Sequence, residues 1–294
     1  MGGFRTVVIK SRAKLELRLN YLVIRSDAEQ KIFLKEIAVL IIQSTAVSLT
    51  AALLAELCRR NIKVVFCDEK CNPVSELLPY YGVHNTTKRY KEQIAWCRDA
   101  KDVIWRSIVC EKIRMQACVL LENGFNEQAN VLRAYIDEVE PGDVTNREGH
   151  AAKVYFNCIL GEGNFRGGGG FLNACLNYGY TVLLSAFNRE IVAHGYLTQL
   201  GIWHDNEFNE FNLACDLMEP FRPIVDRIAL SLTEGDKDFK RKMTNVLNLR
   251  TQYDGKNTTM DVAIRQYVKD AIHAISAGDE QQLKFITDVE LPDE

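Results

Sequence analysis

The spacing of apolar residues changes near residue 80, and this change limits the fold of the 294-residue chain more than any other feature. Before it, short β-branched runs such as 4–9 and 62–67 are typical of strands, and apolar residues alternate with charged ones over 15–19. Apolar residues one turn apart over 49–60 predict one helix here. After Pro79 the pattern is helical. The sequence therefore predicts an α+β fold, with a small β-rich N-terminal domain followed by a larger all-α C-terminal domain.

Four segments are expected along the chain. They are a β-rich domain, a linker, an α-helical domain and a poorly ordered acidic tail, over 1–80, 81–85, 86–280 and 281–294. The glycine-rich stretch 161–170 is predicted to be a flexible connector between helices. No strand precedes it, and it lacks the lysine and hydroxyl residue of a phosphate-binding loop.

Composition excludes several classes of protein. Apolar residues make up 47% and charged residues 26%, which is typical of a folded globular chain. No apolar run approaches the length of about 18 residues that a membrane span needs. Nine cysteines without a C-x-x-C pair indicate reduced thiols, and the N-terminus does not match a secretory signal. We therefore expect a cytoplasmic protein without a membrane partner, the alternative being myristoylation of the MGGFRT start.

The net charge of −3 is unevenly distributed along the chain. Residues 1–80 carry 12 basic against 8 acidic side chains, whereas 143–230 carry 6 against 10. The segment 84–114 holds 8 basic against 4 acidic side chains, with tyrosine and tryptophan interleaved. A weakly basic front and an acidic middle suit a protein that meets a polyanion and holds divalent cations, and a charged helix surface is the alternative.

One pair of acidic residues has the spacing of a cation site. Asp216 and Glu219 are three residues apart on a predicted helix, and the proline after Glu219 places that carboxylate at a helix end or kink. Two like charges on one face repel unless a cation lies between them, and His204 could fold back to supply a nitrogen ligand. Carboxylates with imidazole suit Mg²⁺ or Mn²⁺. The alternative is a solvated helix face, paired with Arg222 and Arg227.

Glu148 is a second acidic candidate. In a regular helix Ala151 and Ala152 lie one turn away, and such small neighbours leave space above the carboxylate for a ligand. The alternative is that Glu148 belongs to the first turn of a helix, where the helix dipole favours a negative charge.

Four segments that occur in order carry a resemblance to a known family. They are EGHAA at 148–152, NACLNYGY at 173–180, GIWH at 201–204 and DLMEPFRP at 216–223. Together they resemble the CRISPR-associated adaptation integrase–endonuclease family, whose members are the nuclease subunits that capture new spacers. The segment RTVV at 5–8 is similar to members from type II CRISPR systems.

The resemblance implies a metal site. By motif position its ligands and catalytic residues are Glu148, His204 and Glu219, and the metal is Mg²⁺ or Mn²⁺. Asp216 matches a nearby acidic position of the family. Arg222 is interpreted as bracing Asp216, with neutralisation of phosphate charge as the alternative. The glycines at 167–170 depart from the family pattern, which often has an acidic residue there.

The resemblance further implies a homodimeric DNA integrase and endonuclease with a small ferredoxin-like CRISPR partner protein. It would insert captured double-stranded DNA into a CRISPR repeat by transesterification. Dimerisation would run through the N-terminal domain, whose apolar strand 39–42 needs a covering surface. Lys88, Arg89 and Lys91 are predicted DNA contacts. The alternatives are a metal-dependent nuclease without integrase activity and a non-catalytic DNA-binding dimer scaffold.

Overall fold

A computed structural model describes residues 4–69, 73–80, 85–161 and 163–291, and the statements below refer to these. The N-terminal part contains one helix, α1 (Ala51–Arg59), and eight strands. The strands are β1 (Arg5–Ile9), β2 (Ala13–Arg18), β3 (Tyr21–Arg25), β4 (Glu29–Phe33), β5 (Ile37–Ile42), β6 (Val47–Leu49), β7 (Lys63–Cys67) and β8 (Pro73–Leu77).

The eight strands form two four-stranded sheets. In the first sheet the order is β1-β5-β7-β8, with β1, β5 and β7 parallel and β8 antiparallel at the edge. In the second sheet the order is β4-β3-β2-β6, built on the antiparallel pairs of β3 with β2 and β4. Alternate side chains of both sheets, such as Leu15, Leu22 and Leu40, meet in a core closed by Leu53 and Leu57 of α1.

Strand β5 is buried on both faces, which explains why its sequence is apolar without interruption. Leu40 and Ile42 belong to the core between the two sheets, whereas Val39 and Ile41 belong to the core of the helical part. The expectation that strand 39–42 needs a second copy of the chain to cover it is therefore wrong. The covering surface is the helical part of the same chain.

Nine helices follow in the C-terminal part of the described structure. They are α2 (Thr86–Ile94), α3 (Arg98–Glu122), α4 (Asn126–Ile136), α5 (Arg147–Leu160), α6 (Phe171–Ala193), α7 (Asn212–Met218), α8 (Arg222–Leu230), α9 (Phe239–Thr244) and α10 (Met260–Ala277). The two longest helices organise the packing: α3 contacts α4, α5, α8 and α10, and α6 contacts α7, α8, α9 and α10. The α+β prediction is thus confirmed.

The C-terminal part is not entirely helical, because it carries a three-stranded sheet in the order β10-β9-β11. Its strands are β9 (Arg250–Tyr253), β10 (Lys256–Thr259) and β11 (Ile286–Val289). The last strand lies in the segment predicted to be a poorly ordered tail, so that prediction is wrong there. Ile286 and Val289 are buried and hold β11 against the helical core.

Three further expectations can be compared with the structure. Residues 81–84 of the predicted linker lie outside the described residues, and Asn85 directly precedes α2. The eight cysteines in the described part of the chain are all free thiols. No helix within the described ranges is both long and apolar enough to cross a membrane.

Candidate active site

Two of the predicted metal ligands, Glu148 and Glu219, meet at a single cation, the ammonium group of Lys112. Lys112 Nζ lies 2.5 Å from Glu148 Oε1 and 2.5 Å from Glu219 Oε2. Helix α3 supplies the lysine, the first turn of α5 supplies Glu148, and the turn after α7 supplies Glu219. Side chains from three separate elements therefore converge on one point.

The start of α5 explains the position of Glu148. Asn146 adopts a left-handed conformation with a φ of 53°, and its side chain accepts a hydrogen bond from the Gly149 amide. The carboxylate of Asp143 accepts hydrogen bonds from the amides of Arg147 and Glu148 at 2.8 and 2.9 Å. Glu148 thus lies in the first turn, as one interpretation held, and its carboxylate contacts the ammonium of Lys112.

The chain after α7 fixes Glu219. Helix α7 ends at Met218, and Glu219–Phe221 forms a 3₁₀ turn around Pro220, which confirms the predicted helix end. Arg222 Nε lies 2.9 Å from Glu219 Oε1. The interpretation that Arg222 braces Asp216 is therefore wrong: with a spacing of three residues, Arg222 reaches Glu219 instead. Burial disfavours the charged form of Glu219, but Arg222 and Lys112 outweigh it, so the pKa of Glu219 lies below its usual value.

Asp216 does not share a cation with Glu219, and it is not on a solvated helix face. Its carboxylate is fully buried and accepts backbone hydrogen bonds from Ile202, Trp203 and His204 at 2.6, 3.0 and 3.1 Å. His204 Nδ1 lies 2.5 Å from the Oδ1 atom of the same carboxylate. Asp216 therefore fixes both the backbone and the ring of His204.

Gly201 allows this close wrapping of the 201–204 segment around the carboxylate. A Cβ atom at residue 201 would lie 2.3 Å from the carbonyl oxygen of His204 and 2.7 Å from Asp216 Oδ2. Both distances are shorter than real contacts of a Cβ atom, and the first involves the backbone. The glycine of the GIWH segment is thus required by the site geometry.

His204 is oriented for binding through its other nitrogen. A carboxylate can only accept, so the proton lies on Nδ1 and a neutral ring keeps its lone pair on Nε2. The hydrogen bond to Asp216 raises the pKa of His204, and the carboxylates of Glu219 and Glu148 add to this effect against burial. The imidazole and the Trp105 ring of α3 meet edge to face, with ring centroids 5.9 Å apart.

The chemistry of these groups fits a divalent metal ion. Among the residues that the structure describes, no three His, Cys, Asp or Glu side chains are grouped closely enough to hold one. The ammonium of Lys112 instead takes the position of a cation between Glu148 and Glu219. The two carboxylates supply hard oxygen donors at this position, and the oriented imidazole of His204 lies within their electrostatic range. Oxygen donors with one imidazole are a donor set that suits Mg²⁺ or Mn²⁺.

Lys112 is the residue that sequence reasoning missed. It lies on the buried face of α3, one turn from Ile108 and close to Met115. A charged residue in an otherwise apolar stripe of a helix was the available signal, because a buried lysine needs an anionic partner. Its partners follow only from the fold.

A second buried cluster lies beside Arg222. Asp226 accepts hydrogen bonds from the hydroxyl groups of Tyr155 and Tyr180 at 2.8 and 2.6 Å. Burial raises the pKa of Asp226 to about 6, although both tyrosines oppose this shift. The guanidinium groups of Arg222 and Arg166 lie 4.7 and 5.1 Å from the centroid of the Tyr180 ring.

Arg166 connects the glycine-rich stretch to α6. It donates hydrogen bonds to the side-chain oxygens of Asn173 and Asn177 at 3.0 and 2.7 Å. These acceptors are neutral amides, and the guanidinium also lies within electrostatic range of Asp226. The connector predicted as flexible is thus anchored beside Tyr180.

The three predicted DNA contacts lie on α2. Lys88 and Lys91 are exposed. Arg89 is half-buried, donates hydrogen bonds to Glu92 at 3.0 Å and to the hydroxyl of Tyr196 at 3.1 Å, and is less free to meet a ligand. In the described part of the chain, none of the three contacts Glu148, His204 or Glu219.

Comparisons with known proteins agree with the resemblance. A family model described as CRISPR associated protein Cas1 matches residues 6–260. The CRISPR-associated endonuclease Cas1 of Neisseria meningitidis serogroup C (strain 8013) is 33% identical over 96% of this chain and 95% of its own length, which supports the type II-like placement. A casposase bound to integration product has a TM-score of 0.76 at 21% identity, covering 94% of this chain and 92% of the casposase. A chain of a Cas6-RT-Cas1--Cas2 complex has a TM-score of 0.70 at 18% identity, covering 95% of this chain and 36% of the other. The chain belongs to the CRISPR-associated protein Cas1 family.

Proposed function

We propose that this Cas1 protein is a metal-dependent DNA endonuclease and integrase that inserts captured DNA into a CRISPR array as a new spacer. The observation that carries the proposal is the convergence of Glu148 and Glu219 on one cation, beside a histidine fixed by Asp216. The Neisseria relative is named an endonuclease, and the similar casposase was solved with an integration product. Work on chromosomal DNA would place the protein in the cytoplasm.

Glu148, Glu219 and His204 would hold the Mg²⁺ or Mn²⁺ ion. When bound, the ion would polarise the phosphoryl oxygen and stabilise developing negative charge. The chain itself prepares the ligands: Arg222 holds Glu219, whose lowered pKa keeps it ionised, and Asp216 holds His204 with Nε2 as the ligand nitrogen. Preorganised ligands avoid the cost of reorienting them at the moment of reaction.

The proposed reaction is a transesterification at a phosphodiester of the CRISPR repeat. The 3′-hydroxyl oxygen of the captured fragment forms a bond to phosphorus, and the bond from phosphorus to the 3′ oxygen of the repeat strand breaks. The proton of the attacking hydroxyl leaves to water, and the departing oxygen takes up a proton. With water as the nucleophile the same site would hydrolyse DNA, which is the nuclease alternative.

We further propose that the protein acts as a homodimer with a small ferredoxin-like partner on double-stranded DNA. The name of the similar Cas6-RT-Cas1--Cas2 complex includes a second protein, Cas2, beside Cas1. The β2–β3 turn of the N-terminal domain presents Leu19, which is 91% exposed, and the neighbouring Tyr21, which is 40% exposed. Exposed apolar side chains at the end of a hairpin suit a contact between copies.

The test compares Glu148→Ala, His204→Ala and Glu219→Ala with wild type. Each should reduce strand transfer about a thousandfold or more and weaken Mn²⁺ binding, because each removes one ligand. Glu127→Ala, an exposed residue in the first turn of α4, serves as the matched control and should match wild type.

The assay also separates the alternatives. Metal-dependent cleavage without strand-transfer products would favour the plain nuclease, and DNA binding without cleavage would favour the scaffold. Activity within about tenfold of wild type in two of the three variants would show that the site is assigned to the wrong residues.

A further inference from the structure

The ammonium of Lys112 lies where a metal ion held by Glu148 and Glu219 would lie. Its ammonium lies 2.5 Å from both Glu148 Oε1 and Glu219 Oε2, and the side chain is only 11% exposed. An ammonium is a compact point charge on a flexible stem, so it can hold two carboxylates together and can also move away from them.

The lysine is charged in this environment. The nearest partners of its nitrogen are two carboxylate oxygens, and anionic partners at such short distances favour the ammonium over the neutral amine. Without this cation, the two carboxylates would face each other and repel. Lys112 therefore stabilises the ligand arrangement while no metal is bound.

An ammonium and a divalent cation compete for the position between these two oxygens. Two positive charges at that distance from each other repel strongly, so binding of one disfavours the other. We propose that Lys112 is a resident counter-ion that competes with the metal for Glu148 and Glu219, and that its ammonium transfers to a phosphate of the DNA when the metal enters. This inference rests on the proposed function.

The local charge supports a phosphate as the new partner. Lys112 and Arg222 pair with Glu148 and Glu219, and Asp216 holds His204 beside them. These three carboxylates and two cations sum to one net negative charge when His204 is neutral. A divalent ion would change this to one net positive charge. A phosphodiester carries one negative charge, and its arrival at the metal would restore neutrality beside the displaced ammonium.

The consequence is coupling between metal and DNA. Because the ammonium leaves the carboxylates more readily when a phosphate is present, DNA should tighten metal binding, and metal should tighten DNA binding by the same factor. Lys112→Met removes both the competitor and the phosphate partner. The variant should bind metal more tightly without DNA. DNA should tighten its metal binding less than in wild type, because only the contact between metal and phosphate remains.

The experiment measures the dissociation constant of Mn²⁺ by electron paramagnetic resonance, using the full chain with and without a duplex oligonucleotide. Without DNA, Lys112→Met should bind Mn²⁺ at least about tenfold more tightly than wild type, and DNA should tighten Mn²⁺ binding about tenfold more in wild type than in the variant. Lys153→Met, an exposed lysine on α5, is the matched control and should behave as wild type. Glu219→Gln with DNA gives the baseline of Mn²⁺ bound by the oligonucleotide itself.

The outcomes separate the inference from the proposed function. If Glu219→Gln binds Mn²⁺ as wild type does, the proposed metal site is wrong. If Glu219→Gln loses Mn²⁺ but Lys112→Met binds it equally or more weakly than wild type, the site stands and the role of Lys112 is wrong. Should Lys112→Met fail to fold, Lys112→Gln takes its place. The wild type alone also tests the proposal, because an Mn²⁺ affinity that DNA leaves unchanged would overturn it.

Discussion

Replacing Asp216 with asparagine should damage both the stability of the protein and the orientation of His204. The two oxygens of Asp216 share four donors: Oδ2 accepts from the amides of Ile202 and Trp203, and Oδ1 accepts from the amide and the ring of His204. In Asp216→Asn an NH₂ group must take one of these two positions. Whichever position it takes, two donors lose their acceptor.

The magnitude follows from the burial of these groups. Each buried donor left without an acceptor costs about 1–3 kcal/mol, so the free energy of unfolding should fall by about 2–6 kcal/mol. For a chain of this size the melting temperature should fall on the order of 10 °C. Loss of the partner that orients a histidine ligand typically costs about 10- to 100-fold in metal affinity or activity. The pKa of His204 should fall toward its ordinary value, because its largest raising influence is the hydrogen bond to Asp216.

The assay combines a thermal melt, Mn²⁺ binding and an NMR titration of the His204 ring in metal-free protein. Asp238→Asn is the control, since Asp238 is exposed and pairs with Arg241 at the surface. General destabilisation alone would leave the pKa of His204 unchanged. A melting temperature within about 2 °C of wild type, together with an unshifted His204, would refute the reasoning.

Four further outcomes are expected. Gly201→Ala should lower the melting temperature and strand transfer as Asp216→Asn does, because its Cβ collides with the His204 carbonyl; a thermal melt equal to wild type would contradict this. Asp226 has a folded-state pKa of about 6 against an ordinary value of 3.8, so wild type loses stability as pH rises between them. In urea unfolding, the free energy of unfolding of Asp226→Asn should therefore rise by about 2 kcal/mol relative to that of wild type from pH 4.5 to pH 7.5. A difference between the two proteins that stays constant over this range would count against the raised pKa. Reversing the charges of Lys88 and Lys91 should weaken duplex DNA binding and flatten its salt dependence while Mn²⁺ binding stays unchanged; an unaltered salt slope would show a merely solvated surface. Light scattering should show that wild type is a dimer at micromolar concentration and that Leu19→Lys dimerises more weakly. A variant with the same mass as wild type would show that the dimer contact lies elsewhere.

Local patterns predicted most of the fold, and the failures have local explanations. The uninterrupted apolar run of β5 and the long helix α6 stood out because burial demands apolar residues at fixed spacing. The hairpin β9–β10 was missed because its strands are short and polar. Its signal was the Asp254–Gly255 pair, which forms the two-residue turn with φ values of 48° and 72°. Strand β11 has only two buried residues, too few to form a pattern.

The sequence selected candidate residues for the site but not the contacts between them. Motif positions identified Glu148, His204 and Glu219, but no pattern shows which cation the carboxylates share. Lys112 and Glu148 are 36 positions apart, and only the packing of α3 against α5 brings them together. The partner of Arg222 was misassigned because Asp216 and Glu219 both lie within reach in sequence, and the choice depends on the direction in which the buried carboxylate of Asp216 turns.

The central strand β5 has a consequence for how the molecule unfolds. Since its alternate residues belong to two cores, a slip of one residue along the strand would place Leu40 and Ile42 among the helices and Val39 and Ile41 between the sheets. Both cores would lose their fit at once, so neither can rearrange while the other stays intact. The β-rich and helical parts should therefore melt in a single cooperative transition, and a cavity introduced at Ile41 should lower the stability of the distant hairpin β2–β3 as much as that of α6.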